Sequence, residues 1–348
     1  MIAEHNLFFE ALDMPFHLRQ SFLAQHAPSA GILQKVYGLL AAHESNDDVL
    51  EQTVSRAFTR NRSHIGQDLG AYTLTDILAE GGMGDVYLAR NHFDPNQKHV
   101  VKIPHRNLSN HAHGQALFAK EQRLLALLKH TNIVRWHQNG FTPDGTPYMA
   151  MEYVDGVDLL QACTQRNRQE TLMLFAKICK AVHFCHQQGI LHCDLKPENV
   201  RVLPNGEPVL LDFGIARELH NNDPEPMPTT LPYASPEQIR GEALNVGSDI
   251  HALGVLLHQM MCGRLPKSVP PEGRTHQTQE HLHLDEEATQ QMGAAAAHLY
   301  MKATAFRAHE RYESVPALLN DLGLCYLAPQ PARHQGKSWR TNYSEAVA

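Results

Sequence analysis

Four short segments between residue 1 and about residue 60 place apolar side chains three and four positions apart. This spacing is typical of amphipathic helices. The segments are NLFFEAL, PFHLRQSFLAQHA, ILQKVYGLLAAHE and DDVLEQTVSRAF. The polar stretch TRNRSHIGQDLG follows them and has the composition of a linker. The pattern therefore predicts a small helical N-terminal region with its linker over residues 1–66.

The pattern then changes to short segments rich in β-branched and aromatic residues. YTLTDIL, DVYLAR and KHVVKI are separated by turn-forming residues, which predicts antiparallel strands. HGQALFAKEQRLLALLKH follows with Phe118, Glu121 and Leu125 at helical spacing. IVRWHQNGF and PYMAMEYV are then predicted as two further strands across the turn TPDG. Together these segments predict a small sheet-rich lobe over residues 67–154.

Beyond Gly156 the pattern is mostly helical. Two segments interrupt it, GILHCDLKPENVRV and PVLLDFG. This predicts a larger helical lobe over residues 155–326. The last residues, APQPARHQGKSWRTNYSEAVA, are polar with few apolar positions, so residues 327–348 are expected to form a disordered tail.

Composition narrows the class of protein. The chain has 348 residues with 43% apolar residues, which fits a globular protein of about two domains. The net charge of -7 gives no electrostatic case for nucleic-acid binding. No apolar run approaches the roughly 20 residues that a membrane span needs. The N-terminus lacks the basic-then-apolar order of a secretion signal, so a cytoplasmic location is expected.

The cysteines and histidines do not indicate a metal site or a disulfide framework. Six cysteines lie in apolar segments without a CxxC pair, which favours buried free thiols. Among the 24 histidines, HAH at 111–113 and HLH at 281–283 have no evident third ligand nearby. Solvated loop histidines are the favoured interpretation of both.

Several polar residues stand where an apolar segment would otherwise continue. AEGGMGDVY is a glycine-rich turn between two predicted strands, which suits either phosphate binding or a simple hairpin. Lys102 ends the strand HVVKI, where it would be either a solvated edge residue or the partner of Glu121. The interrupting segments add Asp194 as a proton acceptor, Lys196 as a phosphate partner, and Asn199 with Asp212 as oxygen ligands for a hard cation. These are the groups that phosphoryl transfer requires.

Taken in order, the motifs resemble those of eukaryotic-type (Hanks-type) serine/threonine protein kinases, most closely the bacterial members. The resemblance runs from about Tyr72 to Tyr326. It rests on EGGMGDVYLAR, VVKI, FAKEQRLL, MAMEYVDG, HCDLKPENV, DFGIAR, PYASPEQ, SDIHALGVLLHQMMCGRLP and Arg311 in HERY. It implies an α+β fold: a bilobal protein-kinase fold with a small antiparallel β-sheet N-lobe and a helical C-lobe, preceded here by the helical N-terminal region.

The resemblance also implies a role for each matching residue. Asp194 would be the catalytic base, steadied by Thr230, with Lys196 on the γ-phosphate and Lys102 on the α- and β-phosphates, held by Glu121. The implied nucleotide contacts are Gly81, Gly82, Gly84, Val86, Lys102, Met151 as gatekeeper, Glu152 and Val154 as hinge, and Asp158 at the ribose. Asn199 and Asp212 would hold Mg²⁺, with Mn²⁺ as an alternative. Glu237 with Arg311 would form a buried ion pair, and Asp249 would anchor the catalytic loop.

Four departures from the family pattern stand out. Ala79 replaces the first glycine of the loop, and Arg201 takes an apolar position under the adenine, where its methylene stem would cover the ring. Cys193 replaces an arginine that, in the family, pairs with a phosphate on the activation segment. Phosphorylation of Thr229 or Thr230 is therefore expected to matter little for activity. Residues 267–293 lack a clear apolar helix, so substrate docking cannot be transferred from relatives.

The expected function is ATP- and Mg²⁺-dependent transfer to Ser/Thr hydroxyls of protein substrates in bacterial signalling. A scaffold or binding module without catalysis and a small-molecule kinase are the alternatives. Retention of Lys102, Asp194, Asn199 and Asp212 favours catalysis, and PYASPEQ with Arg311 indicates a peptide-binding segment. For the N-terminal helices, docking on the kinase domain, a partner protein and a homodimer stay open.

Overall fold

The computed structural model describes residues 64–81, 84–105, 112–219, 230, 232–269 and 281–327. The helices expected before residue 60, Gly82, Thr229 and residues 328–348 of the expected tail lie outside these residues. Residues from Asp68 onward belong to one compact unit, separate from residues 64–67. The fold below is that of the unit beginning at Asp68.

A six-stranded antiparallel sheet forms the N-terminal part of this unit, in the strand order β1-β2-β3-β4-β6-β5. The strands are β1 Asp68–Leu69, β2 Tyr72–Gly81, β3 Gly84–Asn91, β4 Lys98–Pro104, β5 Trp136–Phe141 and β6 Pro147–Glu152. The helix α1, Ala112–Leu127, comes between β4 and β5 in the chain. The antiparallel strands and the helix predicted for this lobe are confirmed.

Alternation along β3 and β4 separates a small core from a cleft. Tyr87 on β3 and Val101 on β4 are register partners, and both lie fully buried in a compact apolar cluster. Their neighbours Val86 and Lys102 are also register partners, and they line the cleft on the other face. Because side chains of a strand point alternately to opposite faces, one face builds the core while the other supplies the site.

The rest of the unit is mainly helical. Its helices are α2 Leu159–Thr164, α3 Arg168–Gln187, α4 Pro236–Arg240, α5 Val246–Cys262, α6 Glu286–Met292, α7 Ala294–Ala303 and α8 Val315–Leu327. Two 3₁₀ turns are present as well, Pro197–Asn199 and Ala308–Glu310. The last helix extends one residue into the segment predicted as the tail. The main apolar core is built largely from α3, α5, α7 and α8, and α5 is buried along most of its length.

Short strand pairs carry the polar segments that interrupt the helices. The strands are β7 Val157–Asp158, β8 Ile190–Leu191, β9 Val200–Val202, β10 Pro208–Leu210 and β11 Arg217–Glu218. They form the sheets β10-β9-β7 and β11-β8. A parallel bridge from Ile133 to Leu210 connects the segment before β5 with β10. The residues that adjoin these strands include Asn199 and Asp212, which line the same cleft as Val86 and Lys102 of the six-stranded sheet.

The interpretation of HLH as a loop is wrong, because residues 281–283 form a strand, and the helix described within residues 267–293, α6, is largely polar in sequence. β12 Lys267–Val269 pairs with β13 His281–His283, and α6 follows directly. Leu282, the middle residue of HLH, packs against the main core. The carboxylate of Asp285 caps α6 by accepting from the backbone N–H of Ala288 at 2.8 Å. Leu284, Ala288 and Met292 also pack into or against the main core, so the described part of this stretch is held by several apolar contacts as well as by the cap.

No helix in the described ranges is long and apolar enough to cross a membrane.

Candidate active site

The expected metal ligands, the Lys102–Glu121 pair and most of the expected nucleotide contacts line a cleft of about 470 Å³ between the six-stranded sheet and the helical part. Asp194, Lys196 and Thr230 form a hydrogen-bonded group that contacts Asn199 of this lining. One part of the cleft wall is apolar and the other is polar. The apolar side chains are Leu78, Ala79, Val86, Val100, Val134, Met151, Val154, Leu160 and Leu211. The charged and amide side chains include Lys102, Glu121, Glu152, Asp158, Glu198, Asn199, Arg201 and Asp212. An apolar slot with a few convergent polar groups is typical of a small-molecule site.

Lys102 lies between two carboxylates at the polar end. Its Nζ donates to Oε1 of Glu121 at 2.6 Å and to Oδ1 of Asp212 at 3.2 Å. Burial alone would lower the pKa of Lys102, but the two negative charges outweigh burial and raise it. The pair expected between Lys102 and Glu121 is thus present, and it ties α1 to the sheet.

Asp212 is ionised in this setting. Burial would raise its pKa, but the charge of Lys102 and the backbone N–H of Gly214 outweigh burial and hold the pKa at about 2. The N–H of Gly214 reaches Oδ1 at 2.9 Å. A carboxylate that stays charged at neutral pH, and that lines the cleft with its side chain 47% exposed, suits a hard divalent cation.

Asn199 supplies the second expected metal ligand. Its Nδ2 donates to the backbone oxygen of Asp194 at 2.8 Å and to Oδ2 of Asp194 at 2.9 Å. With the amide nitrogen used in this way, the amide oxygen is the atom left for a cation. Asn199 also lines the same cleft as Asp212. The pair therefore fits the oxygen-ligand chemistry of Mg²⁺ or Mn²⁺.

Three side chains fix the carboxylate of Asp194. The hydroxyl of Thr230 donates to Oδ1 at 2.9 Å, and Lys196 contacts Oδ2 at 2.8 Å. Lys196 also donates to the hydroxyl oxygen of Thr230 at 2.9 Å. With Asn199, these contacts orient both carboxylate oxygens before a substrate arrives. Such preorganisation suits a group that must accept a hydroxyl proton in one geometry.

The backbone that leads into Asp194 is anchored from α5. Asp249 accepts from the backbone N–H groups of His192 and Cys193 at 2.9 and 2.8 Å. The ring of His186 contacts the same carboxylate at 2.7 Å. His192 is fully buried and lies 4.7 Å from the ring of Phe213, between centroids. The anchor expected from Asp249 is present.

The glycine loop is described only in part. Gly81 ends β2, and Gly84 begins β3 opposite it. A Cβ added to Gly84 would lie 2.4 Å from the carbonyl oxygen of Ile103 and 2.7 Å from Cα of Pro104. Gly84 is therefore required by the close approach of β3 to β4, in addition to any contact with phosphate.

The apolar end of the cleft is built as expected around Val86, Met151 and the stretch Glu152–Val154. Arg201 and Asp158, which come from β9 and β7, lie at its edge. Arg201 Nη1 contacts Asp158 Oδ1 at 2.5 Å, and the two side chains are 39% and 63% exposed. The carboxylate assigned to the ribose is thus already paired with the residue that departs from the family pattern.

Cys193 is 7% exposed, and burial raises the pKa of its thiol well above the ordinary value. Its backbone φ is +66°, a left-handed conformation rare for a residue with a side chain. A neutral buried thiol cannot replace the charge of an arginine. The expectation of a buried free thiol is confirmed for Cys193.

The segment that follows Thr230 is tied to the helical part by a buried ion pair. Glu237 receives Arg311 Nη1 at 2.7 Å and Nη2 at 2.9 Å. Burial would raise the pKa of Glu237, but the bonds from Arg311 outweigh burial and hold the pKa at about 2. The pair expected between these residues is present, and the hydroxyl of Ser248 adds a third donor at 2.7 Å.

Sequence reasoning missed several apolar cleft residues, among them Val100, Val134 and Leu211. A signal for Val100 was available, because it precedes Lys102 by two positions on one strand and must share its face. Val134 and Leu211 lie at the ends of apolar segments, where no local pattern tells a cleft wall from a core.

The sequence model of a family described as "Protein kinase domain" matches residues 72–321. Among curated proteins, the chain is 36% identical over 209 residues to the serine/threonine-protein kinase PknB of Mycolicibacterium smegmatis. It is 35% identical over 209 residues to the serine/threonine-protein kinase pkn3 of Myxococcus xanthus. Each match covers 56% of this chain, but only 33% and 38% of the two relatives. The chain thus spans about a third of the length of the relatives it matches.

Solved structures agree on the architecture. The kinase domain of Mycobacterium tuberculosis PknI is similar over 75% of this chain and 98% of that chain, with a TM-score of 0.57 and 23% identity. At this level of identity the similarity concerns the fold.

Proposed function

The chain belongs to the protein kinase domain family, and from this premise we propose that it transfers the γ-phosphate of ATP to Ser/Thr hydroxyls of proteins in bacterial signalling. The bilobal α+β protein-kinase fold expected from the sequence is confirmed. The family uses ATP and a divalent metal in general. ATP with Mg²⁺ in this cleft is part of the proposal, and so are the roles given to individual residues.

The observation that carries the proposal is that three side chains hold the carboxylate of Asp194 in one orientation. Lys196, Thr230 and Asn199 hold its carboxylate, and Lys102, Glu121 and Asp212 form a second joined group that lines the cleft together with Asn199. In this proposal Asp194 accepts the hydroxyl proton, while Lys196 offers its charge to the phosphoryl group in transfer. Lys102 binds the α- and β-phosphates. Asn199 and Asp212 would hold Mg²⁺, which supplies neutralisation of phosphate charge when bound.

The apolar half of the cleft supports adenine binding. Val86 and the stem of Arg201 would cover the ring, and Met151 would limit its depth. Backbone groups of Glu152 and Val154 would contact the adenine edge, and Asp158 the ribose. Gly81, Gly82 and Gly84 would cover the phosphates, since glycine lets backbone N–H groups approach an anion.

We further propose that activity depends little on phosphorylation of the activation segment. In the family pattern a phosphate there is met by an arginine at the position of Cys193, and a buried neutral thiol cannot form that charge-assisted bond. Thr230 is already used, because its hydroxyl donates to Asp194. Thr229→Ala is expected to keep most of the activity. An inactive Thr229→Ala protein whose activity returned with Thr229→Glu would contradict this.

The test of the catalytic claim is transfer of labelled γ-phosphate by the purified chain, with Asp194→Asn as the inactive variant and the exposed Asp94→Asn as its matched control. We expect wild type and Asp94→Asn to label Ser and Thr, and Asp194→Asn to lose about 10³-fold or more in rate. Equal labelling by all three proteins would refute the proposal. Nucleotide binding without labelling in wild type would favour a scaffold, and labelling of added small alcohols alone would favour a small-molecule kinase.

The role of residues 1–66 in docking, in binding a partner protein or in forming a homodimer stays a prediction. The same holds for the cytoplasmic location and for the domain boundaries at residues 66, 154 and 326.

A further inference from the structure

The side-chain amide of Gln238 joins the start of helix α4 to the catalytic loop. Its Nε2 donates to the backbone carbonyl oxygen of Cys193 at 2.8 Å. Its Oε1 accepts from the backbone N–H of Ser235 at 2.9 Å, as one half of the capping box that begins α4. Both ends of the amide are engaged, so its orientation is fixed.

The atom that Gln238 holds is close to the catalytic base. The carbonyl of Cys193 belongs to the peptide bond that leads into Asp194. The N–H on the other side of Cys193 donates to Asp249 at 2.8 Å. Cys193 is the one non-glycine residue with positive φ within the described part of the chain. A backbone in this rarely populated region persists only where its surroundings hold it, and here two side chains do so from opposite sides.

The two hydrogen bonds to the backbone of Cys193 come from different helices. Asp249 lies on the buried helix α5, whereas Gln238 lies on α4, directly after the segment that contains Thr230. The neighbouring Glu237 fixes α4 through Arg311. Gln238 thus connects the start of α4, which follows Thr230 in the chain, with the peptide bond before Asp194. This connection uses no charge and no phosphate.

We propose that Gln238 is a positioning residue for Asp194, and that it joins the activation segment to the catalytic loop in place of an arginine–phosphate pair. This deepens the proposed kinase function and rests on it. The connection is permanent, because an amide does not depend on modification to donate its hydrogen bond. It gives a structural reason for activity in the unphosphorylated protein.

Gln238→Glu separates the two roles of the side chain. A glutamate can still accept from the N–H of Ser235 and so keeps the capping box. It cannot donate to Cys193, and it places a negative oxygen against the carbonyl oxygen. Gln238→Ala removes both contacts. The matched control is Glu170→Gln, the reverse change at the same position of the capping box that begins α3, remote from the cleft.

We expect Gln238→Glu to lower kcat about tenfold, the effect of one lost hydrogen bond in the transition state, with the KM for ATP unchanged. Its melting temperature should fall less than that of Gln238→Ala, because Gln238→Glu keeps the cap while Gln238→Ala loses both contacts. Hydrogen exchange followed by mass spectrometry should show faster exchange in the peptide spanning residues 190–200 for Gln238→Glu. Glu170→Gln should match wild type in all these measurements.

Two results would overturn the proposal. One is a Gln238→Glu protein with wild-type kcat and wild-type exchange over residues 190–200. The other is a loss of kcat in Gln238→Glu that is matched in Glu170→Gln. An inactive wild type would refute the proposed function separately. In that case the exchange measurement alone decides whether Gln238 holds the loop.

Discussion

At the scale of single residues, burial decides what the thiol of Cys193 can do. Cys193 directly precedes the proposed base, Asp194. A reactive thiol at this position would make the activity sensitive to oxidation. Oxidation and alkylation proceed through the thiolate, and burial raises the pKa of this thiol well above its ordinary value. The same cause raises the pKa of the other five cysteines, which are all buried and unpaired.

We therefore predict that the native protein reacts very slowly with Ellman's reagent at mildly alkaline pH. Denaturation in guanidinium should expose all six thiols. Kinase activity should survive a peroxide treatment that leaves the fold intact, and Cys193→Ser should behave as wild type in the same treatment. One fast-reacting thiol in the native protein, mapped to Cys193, would contradict this prediction and support a redox-sensitive role for Cys193.

Arg201 gives a second prediction at the same scale. Its pair with Asp158 lies at the edge of the cleft, with both side chains substantially exposed, so solvent screens the charges and the pair itself contributes little. Arg201 lines the cleft, and in the proposed binding mode its apolar stem covers the adenine. Arg201→Leu should keep the apolar cover and change the KM for ATP by less than about threefold.

Arg201→Asp is the contrasting variant, because it removes the stem and sets a second carboxylate beside Asp158. We expect the KM for ATP to rise about tenfold or more, because the apolar cover of the adenine is lost and an added negative charge repels the anionic nucleotide. Steady-state kinetics at varied ATP concentration measure both variants. A large rise for Arg201→Leu would instead show that the guanidinium is itself needed for nucleotide binding.

At the scale of elements, the contact between α5 and α7 depends on one glycine. A Cβ added to Gly254 would lie 2.7 Å from Cγ2 of Thr304 and 2.9 Å from Cβ of Ala303. Neither neighbour ends a long flexible side chain, so the helices would have to separate slightly. Because α5 also carries Asp249, this close packing bears on the catalytic loop as well as on the core.

Gly254→Ala should lower the free energy of unfolding by roughly 1–3 kcal/mol, as overpacking in a dense core does. Gly323 on α8 is the matched control, since a Cβ there would meet nothing within 4 Å. Gly323→Ala should raise stability by up to about 1 kcal/mol, the helix propensity that glycine lacks. Denaturant unfolding of the two variants gives both values, and equal signs would contradict the argument.

At the scale of the whole molecule, local patterns predicted the elements better than the contacts between them. The strands were predicted from short runs of β-branched and aromatic residues, and α1 from helical spacing of its apolar residues. The Lys102–Glu121 pair was predicted because Glu121 lies on the apolar face of that helix and needs a partner there. The Glu237–Arg311 pair joins residues 74 positions apart and was expected only from family resemblance. Gln238 and Cys193 are 45 positions apart, and Arg201 and Asp158 are 43 apart. No local pattern brings such partners together, because the packing of separate elements decides which of them meet.

The last prediction concerns acid stability, in which buried histidines of the helical part act together. Burial lowers the pKa of His251 and of His258 to about 4, and it also lowers the pKa of His192. The unfolded chain binds a proton on each near pH 6.5, while the folded protein does not. As the pH falls below 6.5 the unfolded state gains protons first, so the stability that these neutral side chains contribute above pH 6.5 is lost as the pH falls towards 4.

His251→Gln tests this, since glutamine keeps a donor for the main chain of Tyr233 but does not titrate. Between pH 6.5 and about 4, the unfolding free energy of the variant should fall less steeply than that of wild type, by up to about 1.4 kcal/mol per pH unit. The exposed His309→Gln should keep the wild-type slope. Glu237 loses its stabilising effect at a lower pH than the histidines do. Its pKa in the folded protein is about 2, against an ordinary value of 4.5, so the stability that it contributes is present above pH 4.5 and is lost as the pH falls towards 2. If His251→Gln and wild type ran parallel from neutral pH down to 4.5, His251 would have to be protonated in the folded protein, beside the guanidinium of Arg311.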